Sequence, residues 1–359
     1  MPQDQRLAGV IPRTFGPHTN TKNLISSANS SCSKSARRQT TGNHSILRDM
    51  GTVHQLLGEH GRQKTLQLDI EREVVEAASA YLTDEDTGVG FLYSGWCQAA
   101  LPHRRLPDDQ GWQVEGDRHC LIVEPGMRRG PAGQPVHVGV PYGSRARLIL
   151  IYLQSEALRT SSREVTLGKS LRDWLERMRI PVGGKNLNIV REQTERISRC
   201  RLTFEIRHGN RVGLSNQNIM DSAIFLEPTD EEHQGSLFVS TAKLSEAFYE
   251  GLRRHPVPIE EAAIGAISNN SMAIDIYVWL AYRLHSLSKP TTLTWRATKG
   301  QFGAGFAAMN NFKRNFLPNL KLALAVYPDA QVDIEERGLV LHPSKPPVAP
   351  KQLSATTRR

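Results

Sequence analysis

A chain of 359 residues is long enough for two or three domains. At 39% hydrophobic it can build cores, and the absence of any run near the roughly 18 apolar residues of a bilayer span excludes a membrane protein. The net charge of +9 favours a polyanionic partner without choosing between DNA, RNA and an acidic surface.

The start, MPQDQRLAGVIPRTFG, lacks the apolar core of a secretory signal, so the chain is expected in the cytoplasm. Residues 1–65 are polar, Ser/Thr/Asn-rich and basic, and read as a disordered tail, with a non-specific DNA contact as the sharper alternative. TLQLDIEREVVEAASAYLT follows as a helix, with Ile70, Val74, Val75, Ala78 and Tyr81 spaced by three and four. WQVEGDRHCLIVEPG reads as paired strands, and the Pro/Gly-rich residues 125–143 read as loop.

A three-helix unit then begins, with Ser144 as its expected N-cap. Its first helix carries Leu148, Ile149, Tyr152, Leu153 and Leu158 and is apolar on most of its surface. Arg163–Leu167 reads as an extended piece. SLRDWLERM is a second helix, ending ahead of Pro181. Gly183 and Gly184 form a turn, and KNLNIVREQTERISRC is a third helix with Leu187, Val190, Thr194 and Ile197 inward and Arg191, Glu195, Arg196 and Arg199 outward. RLTFEIRHGNRVGL reads as a hairpin. Three helices and a hairpin is the order of a winged helix, whose second turn-linked helix enters the major groove.

Between this unit and its repeat lie DSAIFLEP and GSLFVST, read as strands that complete the first unit's sheet or offer an edge for dimerisation, and the amphipathic helix KLSEAFYEGLRR. The order then returns: SMAIDIYVWLAYRLHSL, TTLTWRATKGQFG, a longer helix bent at Pro318, and the hairpin QVDIEERGLVLHP. The expected fold class is therefore α+β, mostly helical. It has tandem winged-helix (helix-turn-helix) domains at 144–255 and 256–345. An accessory helix and small sheet at 66–143 pack on the first, and disordered tails lie at 1–65 and 346–359.

Residues 144–209 hold 14 Lys/Arg against 7 Asp/Glu, and residues 270–345 hold 9 against 5, so the basic excess sits in the two helix-turn-helix units. Phosphate neutralisation accounts for that concentration; a solvated face with ordinary pairs, such as Arg191 with Glu195, is the other reading. The candidate DNA contacts are Lys185, Asn186, Asn188, Arg191, Arg196 and Arg199 on the third helix, and Arg207 and Arg211 flanking the hairpin turn. In the second unit they are Lys299, Gln301, Asn310, Asn311, Lys313 and Arg314. Phe302, Phe306, Phe312 and Phe316 are assigned to the core, which argues against an RNA-stacking surface.

No G-x-x-x-x-G-K-[ST], H-E-x-x-H or G-x-S-x-G occurs, and no enzyme activity is expected. Cys32, Cys97, Cys120 and Cys200 form no zinc-spaced cluster, so neither a metal nor another cofactor is expected.

VPYGSRARLILIYLQSEALRTSSREVTLGKSLRDWLERMRIPVGGKNLNIVREQTERISRCRLTF, with the upstream GFLYSGWCQAALPHRRLPDD and LIVEPG, resembles the RepA-type plasmid replication initiators of Gram-negative bacteria. The resemblance covers roughly residues 70–340 and is most specific from Gly143 to Phe204. It implies a non-enzymatic protein that binds repeated double-stranded sequences at its plasmid origin, opens them, and brings in the host initiator and replicative helicase. Many such proteins repress their own promoter as homodimers. Charge and helix order alone fit a winged-helix transcriptional repressor or copy-number regulator equally well.

Overall fold

The computed structural model describes residues 48–86, 88–116, 119–208, 211–226 and 238–349. The expected tails before residue 48 and after residue 349 lie outside them. In chain order the described elements begin with α1 (Arg48–Thr65), α2 (Arg72–Thr83), β1 (Val89–Tyr93), a 3-10 turn (Ser94–Cys97), β2 (Trp112–Glu115), β3 (His119–Glu124), β4 (Gly126–Arg129) and β5 (Pro135–Gly139). The first repeat continues with α3 (Gly143–Arg159), β6 (Glu164–Thr166), α4 (Leu171–Arg177), α5 (Gly184–Arg199), β7 (Arg201–His208), β8 (Arg211–Asn218), β9 (Met220–Leu226) and β10 (Phe238–Leu244). After α6 (Glu246–Arg254), β11 (Pro256–Glu260) and α7 (Glu261–Ala266) comes the second repeat: α8 (Ser271–Arg283), β12 (Thr291–Thr294), α9 (Trp295–Phe302), α10 (Met309–Ala325), β13 (Val332–Glu335) and β14 (Gly338–Leu341). The fold is mixed α and β, with small sheets. None of the described helices is long and apolar enough to cross a membrane.

The two apolar helices read from the sequence, α3 and α8, are the centre of the molecule. They pack on each other, and Leu148, Ile149, Leu150 and Leu153 share one core cluster with Ile274, Ile276, Tyr277 and Leu280. Full burial of each such side chain contributes about 1.5–3 kcal/mol. Helix α3 starts at Gly143 rather than after a Ser144 cap, and its N-cap is Tyr142. The backbone N–H of Tyr142 donates to Oε1 of Gln193 on α5 at 2.8 Å, which ties the entry of α3 to α5. Three buried polar residues, Arg147, Gln154 and Ser155, interrupt the apolar surface of α3, the last two because the edge of β1 needs acceptors. Phe91 N–H donates to Ser155 Oγ and Tyr93 N–H to Gln154 Oε1, each at 2.8 Å.

Two expectations at the N-terminal side are corrected. Residues 48–65 form α1, where a tail was read. Val53 is buried, with Leu57 partly buried against the core, and α1 packs on α2 and α10. Glycines 51, 58 and 61 hid the helix from propensity, since tertiary packing rather than propensity holds it. Gly61, at φ 72, kinks it. Residues 126–139, read as loop, form the β4–β5 hairpin.

The sheets also revise the first repeat. The β7–β8 hairpin forms as read, but β7 pairs on its other side with β3, in the order β2-β3-β7-β8. Only Cys200 separates α5 from β7, and Leu202 then lies in the core with Leu121 and Val123 of β3. The strand that pairs with β6 is instead β10, giving the order β6-β10-β9. Strands β9 and β10, which hold the described parts of DSAIFLEP and GSLFVST, thus join β6 in one sheet, the first of the two alternatives. In the second repeat the order is β12-β14-β13, so its C-terminal hairpin does pair with the short strand that precedes α9. Strand β11, between the repeats, returns to pair with β1, which precedes the first repeat.

Candidate nucleic-acid interface

Helices α4 and α5 and their connection expose Arg172 and Lys185, with Lys169 just ahead of α4. Ser170 caps α4 by accepting from Asp173 N–H at 3.2 Å, and Leu171, Trp174 and Leu175 bury its inner face. The connection ends in Gly183 and Gly184, both exposed. A Cβ added at either glycine would meet nothing within 4 Å. Gly183 is extended at φ 178, a backbone any residue adopts, so nothing inside the protein demands these two glycines. Helix α5 then carries Lys185 in its first turn and no acidic residue there. A cation at a helix N-terminus opposes the helix dipole, at a cost of about 0.3–1 kcal/mol.

The predicted contacts on α5 divide sharply. Lys185 and Asn188 are exposed and Arg191 is half-buried. Residues at i, i+3 and i+6 fall on one broad face. Arg191 touches Asn188 Oδ1 through Nη1 at 3.4 Å, while its Nε has no hydrogen-bond partner. It has no carboxylate partner among the described residues, and burial lowers its pKa from the ordinary arginine value. The alternative Arg191–Glu195 pair does not form: Glu195 lies instead between Arg199, at 3.5 Å, and Arg128, at 3.8 Å.

Asn186 is committed within the protein. Its Nδ2 donates to Pro181 O at 2.7 Å and its Oδ1 accepts from Arg145 at 3.2 Å, so it braces the turn. Arg196 was placed on the outer face and is corrected: its side chain is 2% exposed. It donates to Asp108 Oδ1 at 2.7 Å and to Val140 O at 3.1 Å, pairs with Glu192 at 2.9 Å, and stacks over the Tyr142 ring. The β4–β5 hairpin and the segment carrying Asp108, both absent from the helix-wheel reading, cover that side of α5. Arg199 is exposed but donates to Met127 O at 3.1 Å. Arg207 and Arg211 border the β7–β8 turn, and their side chains lie outside the described part of the structure.

In the second repeat, Asn310, Asn311 and Arg314 are exposed on the first turns of α10, and Arg314 reaches Asn311 Oδ1 at 3.4 Å. Lys313 lies over the Trp295 ring, its Nζ 4.4 Å from the centroid. Lys299 is half-buried, and Gln301 turns inward to donate to Cys97 O at 3.3 Å. Phe302, Phe312 and Phe316 are buried as assigned, and Phe306 packs on the core from a partly buried position. The β13–β14 hairpin exposes Asp333, Glu335 and Glu336 against a single Arg337, the wrong sign for a phosphate.

Three further cations lie at or near the α4–α5 corner. Lys169 and Arg172 are exposed at the start of α4, and Arg172 has no carboxylate partner among the described residues. Arg145 on α3 reaches Asn186, Asn269 and the Ser268 carbonyl, with no acid among its partners. Lys185 in the acid-free first turn of α5 stands against the dipole preference, whereas the first turn of α4 holds Asp173 beside Arg172.

Residues 140–297 match the model of a protein family described as plasmid encoded RepA protein. That span includes the stretch from Gly143 to Phe204 on which the resemblance rested. Among solved structures, one similar chain is the crystal structure of selenomethionine derivatives of domains 2 and 3 of RctB. It is 13% identical, with 68% of this chain and 93% of that chain covered and a TM-score of 0.44. Another crystal structure of RctB domains 2–3 is 12% identical, with 69% and 94% covered and a TM-score of 0.41. No curated protein sequence matches the chain.

Proposed function

We propose that this chain, which carries the plasmid RepA match over residues 140–297, is a plasmid replication initiator that grips double-stranded origin DNA through two winged-helix repeats. The observation that carries the DNA reading is the α4–α5 corner. Two glycines with no internal purpose, Gly183 as N-cap and Gly184 as first residue, open a helix whose first turns expose Lys185 and Asn188 beside the uncompensated Arg191. Most other arginines of the repeat are spent on carboxylates: Arg159 on Glu156, Arg163 on Asp221, Arg177 on Asp173, Arg179 on Asp84 and Asp86, and Arg196 on Asp108 and Glu192. Glycine lets a phosphate approach the backbone, and lysine and arginine replace its counterions.

The N-terminal half of α5 enters the major groove, with Lys169 and Arg172 on the flanking backbone. The acidic β13–β14 hairpin leaves the second repeat to contact DNA through Asn310, Asn311 and Arg314. The role needs no catalytic chemistry and no cofactor in this chain. Opening of the origin, recruitment of the host initiator and replicative helicase, and a homodimeric form are part of the same proposal.

The test supplies the protein in trans to an origin fragment lacking its gene. Replication with the wild-type chain, and none with a Lys185→Ala/Arg191→Ala variant of unchanged melting temperature, is the expected result. Replication of the fragment without the protein would sink the initiator reading.

A further inference from the structure

We infer that the β4–β5 hairpin is a second phosphate-binding arm, set beside α5 to hold the DNA backbone outside the groove that α5 enters. The inference rests on the duplex-binding reading of α5.

The hairpin belongs to no larger sheet. An isolated two-stranded hairpin is marginal in water, and this one buries little: Met127 is 53% exposed, and Arg128, Arg129 and residues 131–135 are exposed. It is nevertheless fixed in place at its base. Gly126 lies so close to the end of α5 that an added Cβ would collide with the Arg199 carbonyl. Gly139, at φ +78, leaves the space that the Arg196 guanidinium fills. Arg199 donates to Met127 O at 3.1 Å. At the tip, Gly130 N–H donates to Gln134 O at 2.6 Å and Gly133 N–H to Gly130 O at 2.9 Å. A rigid mount for a hairpin with almost no core of its own points to use at its surface.

That surface has one sign. Residues 126–139, GMRRGPAGQPVHVG, contain two arginines and a histidine and no acid. Arg129 has no carboxylate partner among the described residues, and Arg128 reaches only Glu195, at 3.8 Å. Glu195 stands on the same stripe of α5 as Lys185 and Asn188, ten residues beyond Lys185 and so roughly 15 Å along the axis. Arg128 offsets this carboxylate, while Glu192 on the same stripe is paired with Arg196 and Arg105. With the helix N-terminus in a groove about 12 Å wide, the hairpin falls beyond the groove edge, where the backbone runs.

Fluorescence anisotropy of the full chain on a generic duplex of roughly 30 base pairs, from about 50 to 200 mM salt, tests this. Arg128→Ala/Arg129→Ala is expected to bind roughly tenfold more weakly at the lowest salt. Its log K against log[salt] slope should be shallower by about 2, at unchanged melting temperature. The Lys185→Ala/Arg191→Ala variant is measured alongside. A hairpin variant with the wild-type slope, while the α5 variant is shallower, overturns the hairpin arm and leaves the α5 reading standing. That is also the result if the hairpin receives an acidic protein. A shallower slope from the hairpin variant alone supports the arm and overturns α5 as the groove element. Wild-type slopes from both variants overturn both.

Discussion

Arg147 of α3 and Asp275 of α8 form a two-point ion pair across the junction of the repeats, Nε to Oδ1 and Nη2 to Oδ2, each at 2.6 Å. The two side chains are 6% and 9% exposed. The remaining arginine donors go to the Leu101, Pro102 and Gly143 carbonyls. Removing one partner leaves a buried charge, so Asp275→Ala should cost about 3–5 kcal/mol, whereas Arg147→Met/Asp275→Leu should recover most of that loss. Urea melts of the wild type, both single variants and the double would measure it. Asp275→Ala within about 0.5 kcal/mol of wild type would show that water reaches the site.

His103 sits at the same junction, its Nδ1 3.0 Å from Ser271 Oγ and 3.4 Å from Arg147 Nη2. Burial, then the charges of Arg147 and Arg104, hold its pKa at about 3. The folded state therefore keeps His103 neutral, while the unfolded chain takes up a proton below about pH 6.5. Stability is full above pH 6.5 and falls with pH below it, by roughly 1.4 kcal/mol per unit, until the folded pKa is reached. Chemical denaturation at pH 7.5 and about pH 5.5 should show a drop that His103→Asn reduces. An equal drop in both proteins would place the acid sensitivity elsewhere.

Arg196→Ala separates packing from DNA contact. Its guanidinium is enclosed by Asp108, Glu192, the Val140 carbonyl and the Tyr142 ring. The two carboxylates are 41% and 30% exposed, so they regain some water when the arginine goes. The loss should be roughly 1–3 kcal/mol of stability, with the salt slope of duplex binding unchanged. A shallower slope with wild-type stability would return Arg196 to the interface.

What the sequence made legible is what period and capping encode. Helices α3, α4, α5, α8 and α10 and the β13–β14 hairpin follow apolar spacing and turn residues that local sequence carries. The pairing of β6 with β10 depends on a strand more than 70 residues away, and no local pattern distinguishes it from pairing with β8. The β4–β5 hairpin was hidden because its proline and glycine residues read as loop, while its mounting depends on α5. Arg196 was misplaced for the same reason: a helix wheel sees the polar side of α5 and not the segment that covers it. The positions of Lys185, Asn188 and Arg191 on the outer side of α5 depend only on that helix's own apolar spacing, which the sequence carries.

Gly183 and Gly184 offer the cleanest division between folding and function. A Cβ at either position meets open space, and neither lies in the left-handed region. Replacing glycine where the native backbone suits alanine stabilises by about 0.4–1 kcal/mol per site, because the unfolded chain loses freedom. Gly183→Ala/Gly184→Ala should therefore melt at or above the wild-type temperature. If a phosphate rests against this turn, two added methyl groups hold it away from the α5 N-terminus, and affinity for duplex DNA should fall several-fold at constant fold stability. A variant that is more stable and binds equally well would leave the glycines without a role at the interface and move the phosphate contact to the side chains of Lys185 and Arg191.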